Sequence, residues 1–239
     1  FLRKSINRKR NIRSLCGHEG KVLIMAIQAG PKIEIDDLDF ILDAANPRSY
    51  PKNGSNWQGL KSRNNFTLQN SPTFNYANGG FFTFDGTDDY VELGDLSSQL
   101  SNVTQYSIGC WFYLSDATVS DNGGILGRSG SSVPQQLSIV FKSSELRIRS
   151  KNDRLNYGKI DTSTITSNNK WTHLFVVFDG SGTGNAERLK CFIDGEQVTL
   201  SFNRTIGSTT GTVSATDYTL GIGRGNYLDG GISNFKIYK

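Results

Sequence analysis

From Leu38 onward the chain alternates apolar and polar residues with a period of two. Leu38, Phe40 and Leu42 alternate with Asp39, Ile41 and Asp43. Tyr106, Ile108, Cys110, Phe112 and Leu114 share one face of a run whose other face holds Ser107, Gly109, Trp111 and Tyr113. Successive side chains of a strand point to opposite faces, so this pattern predicts strands with one face on a core. Leu137, Ile139 and Phe141 repeat it, and Leu146 and Ile148, set between Glu145, Arg147 and Arg149, predict a strand with one wet face. Leu174–Phe178 is apolar at every position, which predicts a central strand covered on both sides. No stretch of twelve residues keeps a convincing 3.6-residue period.

The turns between these runs are equally marked. Leu189, Cys191 and Ile193 lead into Asp194-Gly195 and out through Val198, Leu200 and Phe202, which predicts a hairpin closed by a type I′ turn. Further turn signals stand at Asn53-Gly54, Asn78-Gly79, Asp85-Gly86, Asn122-Gly123, Asp179-Gly180 and Asp229-Gly230. The polar segment from Arg48 to Asn75, with Pro47, Pro51 and Pro72, reads as a long loop crossing one sheet. The expected architecture is all-β, an antiparallel sandwich of two sheets. Trp57, Phe82, Phe84, Trp111, Phe112, Trp171, Phe175, Phe178, Phe192 and Phe235 supply the bulk expected of its core.

Composition agrees. Gly, Ser, Thr and Asn make up 90 of the 239 residues, against 8 Ala and a single Met. The abundant residues form turns and the scarce ones form helices. The net charge of +4 is unevenly spread: seven basic residues against Glu19 give residues 1–24 a charge of +6, which leaves the other 215 at −2. The body therefore gives no reason to expect a nucleic-acid partner. No window holds the roughly 20 apolar residues of a spanning helix, so no membrane insertion is expected. Met25 is the chain's one methionine and is the expected biological start, with residues 1–24 a basic segment upstream of it or a genuine arm, and 25–239 a single domain. Cys110 and Cys191 fall at inward strand positions and read as reduced core thiols, with a bridge between them the open alternative.

Taken in order, five segments resemble the laminin-G-like, concanavalin-A-like lectin and glucanase jelly roll. They are Phe84-Asp85-Gly86-Thr87-Asp88-Asp89-Tyr90-Val91, Tyr106-Ser107-Ile108-Gly109-Cys110-Trp111-Phe112, Lys170-Trp171-Thr172-His173-Leu174, Phe192-Ile193-Asp194-Gly195 and Gly231-Ile232-Ser233-Asn234-Phe235-Lys236-Ile237-Tyr238. A narrower resemblance precedes them. Gly30-Pro31-Lys32-Ile33, Leu42-Asp43-Ala44-Ala45-Asn46-Pro47-Arg48-Ser49-Tyr50-Pro51 and Asn56-Trp57 are similar to the opening of jelly-roll virion proteins of tailed bacteriophages. Chains of that group start near Met-Ala-Ile, as at Met25, and commonly continue past the Ile-Tyr strand, whereas this sequence stops at Lys239. The resemblance implies a non-enzymatic virion component, a capsid decoration or a head or tail fibre module. It also implies other virion proteins as partners, a homo-oligomeric state and loops that present a site for a host-surface glycan. The alternative is a carbohydrate-binding module or adhesin domain of a bacterial surface protein.

The candidate chemistry is sparse. The glucanase branch of this fold carries acid residues at alternate positions of one strand, and Glu34-Ile35-Asp36-Asp37-Leu38-Asp39 fails that spacing, because Asp39 lies an odd number of residues from Asp36. His173 has no nucleophile motif beside it and reads as a structural histidine. Asp85, Asp88, Asp89 and Asp229 are the candidate calcium ligands, since clustered carboxylates at a sandwich rim suit a hard cation. Their plainer reading is two Asp-Gly turns and two solvated acids. Trp57, Tyr157 and Tyr227, each preceded by an Asn, are the candidate glycan-stacking aromatics.

Overall fold

The structure, a computed structural model, describes residues 36–61, 64–118, 121, 123–128, 137–150, 155–213, 217–223 and 225–239. The basic segment 1–24, Met25 and Glu34 lie outside these residues. Ile35–Lys239 groups as one compact unit.

In chain order the strands begin with β1 (Leu38–Leu42), β2 (Asn56–Gln58), β3 (Asn65–Gln69), β4 (Thr73–Asn75), β5 (Phe81–Asp85), β6 (Tyr90–Asp95) and β7 (Gln105–Leu114). Then come β8 (Gly124–Arg128), β9 (Ser138–Lys142), β10 (Glu145–Arg149), β11 (Tyr157–Asp161), β12 (Thr172–Asp179) and β13 (Leu189–Ile193). The remainder are β14 (Glu196–Val198), β15 (Ser201–Phe202), β16 (Asp217–Leu220), β17 (Ile222–Gly223), β18 (Asn226–Tyr227) and β19 (Asp229–Tyr238). One antiparallel sheet has eight strands in the order β14-β13-β12-β7-β19-β5-β4, with β1 also on β19. The other has nine, in the order β15-β11-β10-β9-β8-β16-β6-β3-β2. The two face each other as a jelly-roll sandwich.

The core is built by the period-two alternation. Ile108, Cys110, Phe112, Val176, Phe178, Ile232 and Phe235 of the first sheet meet Val91, Ile139, Phe141, Leu146, Ile148 and Leu220 of the second. The Phe112 and Phe141 rings lie 5.5 Å apart. Each such buried side chain stabilises the fold by roughly 1.5–3 kcal/mol relative to exposure. Cys110 and Cys191 are free thiols inside this core, and burial pushes the Cys191 thiol up to about 12 and raises Cys110 as well, so both are inert.

The Asp194-Gly195 hairpin forms as expected: Ile193 pairs with Glu196, and the turn residues have φ of 52° and 90°. Four expectations differ. The polar stretch from Arg48 to Asn75 is not one loop but contributes β2, β3 and β4. Phe202 leaves the hairpin and joins the opposite sheet, where β15 pairs with β11. Asp229-Gly230 is no turn and opens β19; glycine is needed there because a Cβ would lie 2.1 Å from the Tyr113 carbonyl oxygen. Finally, β12 is not covered on both sides, since Phe175 and Val177 are only half-buried on the outer face.

Candidate functional site

The outer face of the eight-stranded sheet carries a cluster of aromatic rings. Cys110 and Phe112 point into the core, so Trp111 between them must point out, and it is 43% exposed. Across the ladder it faces His173 on β12, with ring centroids 5.0 Å apart. Trp171, just before β12, is wedged between Phe81 and Tyr113 at 4.8 and 4.9 Å, edge-on to both. These perpendicular contacts fix its orientation. Gly231 makes room for the Tyr113 ring, because a Cβ there would lie 2.2 Å from Cε1. The Ser233 hydroxyl donates to the Gly80 carbonyl (3.2 Å), tying β19 to the turn before β5. Together Asn78, Gly80, Phe81, Trp111, Trp171 and Ser233 line a depression of about 360 Å³. Its chemistry is two indoles, a phenyl ring and neutral polar groups. Burial, and then the nearby Lys236 charge, lower the His173 pKa against the opposing pull of Asp194, so the adjacent imidazole is neutral at pH 7.

At the sandwich rim, the connection from β5 to β6 carries the chain from one sheet to the other. Here one carboxylate oxygen from each of Asp85, Asp88 and Asp89 lies within 4.8 Å of the others. The Asp85 carboxylate accepts from the Thr87 and Asp88 amides (2.8 and 3.3 Å), bonds that hold its pKa below the usual range. Asp89 is buried and accepts from the Asp85 amide (3.2 Å). Desolvation, followed by the charges of Asp85 and Asp88, pushes it up to about 6. Asp229 pairs in register with Asp85 from β19 but is not one of the close three. A hard cation could be held by these three carboxylates.

The family profile of the concanavalin A-like lectin/glucanases superfamily matches residues 85–239. The chain belongs to that superfamily. No curated protein sequence matches it. Among solved structures, this lectin-like fold is similar to domain 4 of a GH43 extracellular arabinanase from Geobacillus stearothermophilus, determined in complex with arabinotriose. The TM-score is 0.57 at 16% identity over 85% of this chain and 92% of that one. The binding domain of botulinum neurotoxin serotype D gives a TM-score of 0.58 at 14% identity, over 85% of this chain and 48% of that one. That of neurotoxin DC, in complex with rat synaptotagmin II, gives 0.55 at 16% identity, over 84% and 48%. The lectin-like chain thus spans about half of those neurotoxin chains, and identities this low speak to fold alone. The matched region leaves the opening motif, residues 30–57, outside it.

On this lectin-like scaffold two of the three expected glycan-stacking aromatics are structural. Trp57 is wholly buried, 4.8 Å from the Phe82 ring, because β2 turns Asn56 and Gln58 outward and Trp57 inward. Tyr157 is buried too, with the Arg147 and Arg149 guanidinium groups over its ring at 5.1 and 5.3 Å, so a sugar has no access to it. Tyr227 is half-buried on β18, paired with Ile222. None of the three lines the aromatic depression. Trp111 and Trp171, which do, stood among the expected core aromatics. The signal that places Trp111 outside is its parity in β7, on the face opposite Cys110 and Phe112.

Proposed function

We propose that the chain is a non-catalytic, lectin-like module that binds a neutral saccharide on the outer aromatic face of its eight-stranded sheet. The observation that carries this reading is the exposed Trp111 beside a Trp171 already locked in place by Phe81 and Tyr113. The C–H face of a pyranose or furanose ring stacks on an indole, while Asn78 and Ser233 are within the same depression to meet hydroxyl groups. Among the described residues no charged side chain lines it, which favours an uncharged sugar. Glycoside hydrolysis needs a pair of carboxyl groups across the bond. Among the described residues lining the aromatic depression there is none, and Asp39 stands as the bulged residue of β1, 3.6 Å from the Lys239 ammonium.

Calorimetric titration with arabinotriose and a panel of neutral oligosaccharides tests the proposal. Wild type is expected to bind at least one of them, and Trp111→Ala to weaken that affinity about tenfold or more. The melting temperature is expected to move by only about 3 °C, since the side chain is nearly half exposed. Full affinity in Trp111→Ala, or no binding of any panel member by wild type, would overturn the reading.

A second reading places such a module on a tailed-phage particle as a decoration or fibre, oligomeric, among other virion proteins and facing a host glycan. It rests on the opening motif, whose segment from Leu42 to Trp57 folds as a tightly bonded unit in which the Ser49 hydroxyl joins Asp43 to Gln58. Mass spectrometry of purified particles is expected to detect the chain, and its absence from them would end this reading.

A further inference from the structure

A groove of about 860 Å³ is bounded by the loop from Asn46 to Gly54 and by β2 and β3. Its wall is rigid. The Ser49 carbonyl accepts from the Gln58 amide (2.7 Å), the Ser49 hydroxyl donates to the Gln58 carbonyl (2.5 Å), and the Tyr50 hydroxyl donates to the Gly54 carbonyl (3.0 Å). Asn46 accepts backbone amides of Arg48, Ser49 and Tyr50. The loop is therefore pinned along the edge of β2.

The floor follows from the same alternation that buries Trp57. Asn56 and Gln58 are two residues apart on β2 and share its outward face, and Asn65 of β3 stands directly opposite Gln58. Three primary amides thus form a row, with Asn53 on the wall. None of these four side chains makes a hydrogen bond to another described residue, so each offers two donors and an acceptor to a ligand. Among the described lining residues Arg48 is the one cation, exposed and without an ion pair to the described residues, and none of them is a carboxylate. None of the described lining residues is aromatic, so no stacking is invoked for this groove.

We infer that this groove is a second binding site, specific for an acidic saccharide. The amide row reads hydroxyl groups, and the Arg48 guanidinium takes the anionic group through a forked pair of N–H donors. A neutral sugar would leave that cation unanswered, whereas a basic ligand would be repelled by it. The inference goes beyond the aromatic face and does not depend on it, because the two depressions share no lining residue.

Titration calorimetry on the full chain, with trigalacturonate as the carboxylate probe and its methyl ester as the neutral control, tests it. Wild type is expected to bind the acid at least about tenfold more tightly than the ester, and to lose affinity between 0.05 and 0.5 M salt, figures we take as about one charge-assisted contact. Arg48→Ala is expected to abolish the preference for the acid. Gln58→Ala is expected to weaken binding of the acid several-fold. A sulfated galactose trisaccharide forms the second arm: if it binds in an Arg48-dependent manner where trigalacturonate does not, the anionic group is a sulfate and the site stands. Equal affinity of wild type and Arg48→Ala, or no binding of either acidic probe, overturns the proposal. Loss of acid binding in Trp111→Ala also overturns it, because the acid would then sit on the aromatic face.

Discussion

Trp57→Ala is expected to destabilise the domain by about 3–5 kcal/mol, the usual cost of deleting a large buried aromatic. For a domain of this size that is a fall of roughly 10 °C or more in melting temperature. Trp57 is wholly buried and packs 4.8 Å from Phe82, against which Tyr50 also lies, 4.8 Å away in an edge-on contact. The opening loop has no other large anchor of this kind on β2, so the cavity left by alanine would loosen the loop as well as the core. The indole N–H is buried and has no acceptor among the described residues. Trp57→Phe removes that donor while keeping a ring, and is expected to cost only about 1 kcal/mol. Thermal denaturation of the two variants separates these outcomes, and equal, small effects would mean that Trp57 is not the anchor.

The contrast between Trp57 and Trp111 shows what period-two reading reaches. In β7 ten residues of regular alternation fix the parity, so the outward position of Trp111 is legible once Cys110 and Phe112 are assigned to the core. Counting it as core bulk followed residue type and ignored parity. In β2 there are only three residues, and a tryptophan between Asn56 and Gln58 is the pattern of an inward side chain, hidden by the polar, proline-marked stretch around it. The Asp194-Gly195 hairpin was legible because its determinants are local. Asp229-Gly230 carries the same dipeptide, yet its glycine answers to the Tyr113 carbonyl on another strand. The aromatic face is of that second kind: Phe81, Tyr113 and Trp171 come from three segments, and only the strand order brings them together. The apolar run Leu174–Phe178 misled for a related reason, since Phe175 is kept half-covered by lying over Gly109 and not by another layer.

Asp89→Asn is expected to raise stability at pH 7 by about 2–3 kcal/mol, or roughly 5–10 °C in melting temperature. The carboxyl of Asp89 titrates near pH 6 in the fold, raised first by desolvation and then by Asp85 and Asp88, whereas in the unfolded chain it titrates near 3.8. Between those values the folded state binds the extra proton, so the stabilisation present below pH 4 is lost as the pH rises through 6. Asparagine mimics the protonated form and can still accept from the Asp85 amide through its side-chain oxygen. Its advantage should therefore vanish near pH 4 and be complete above pH 7, which thermal melts across that range would show. The same variant tests the proposal that the rim carboxylates hold calcium. A divalent cation between Asp85, Asp88 and Asp89 would offset their mutual repulsion and favour the charged form of Asp89. Calcium in place of chelator is then expected to raise the melting temperature of wild type at pH 7 and not that of Asp89→Asn. If calcium moves neither protein while the pH-dependent gap persists, the cluster is a turn that pays for a buried acid and holds no cation.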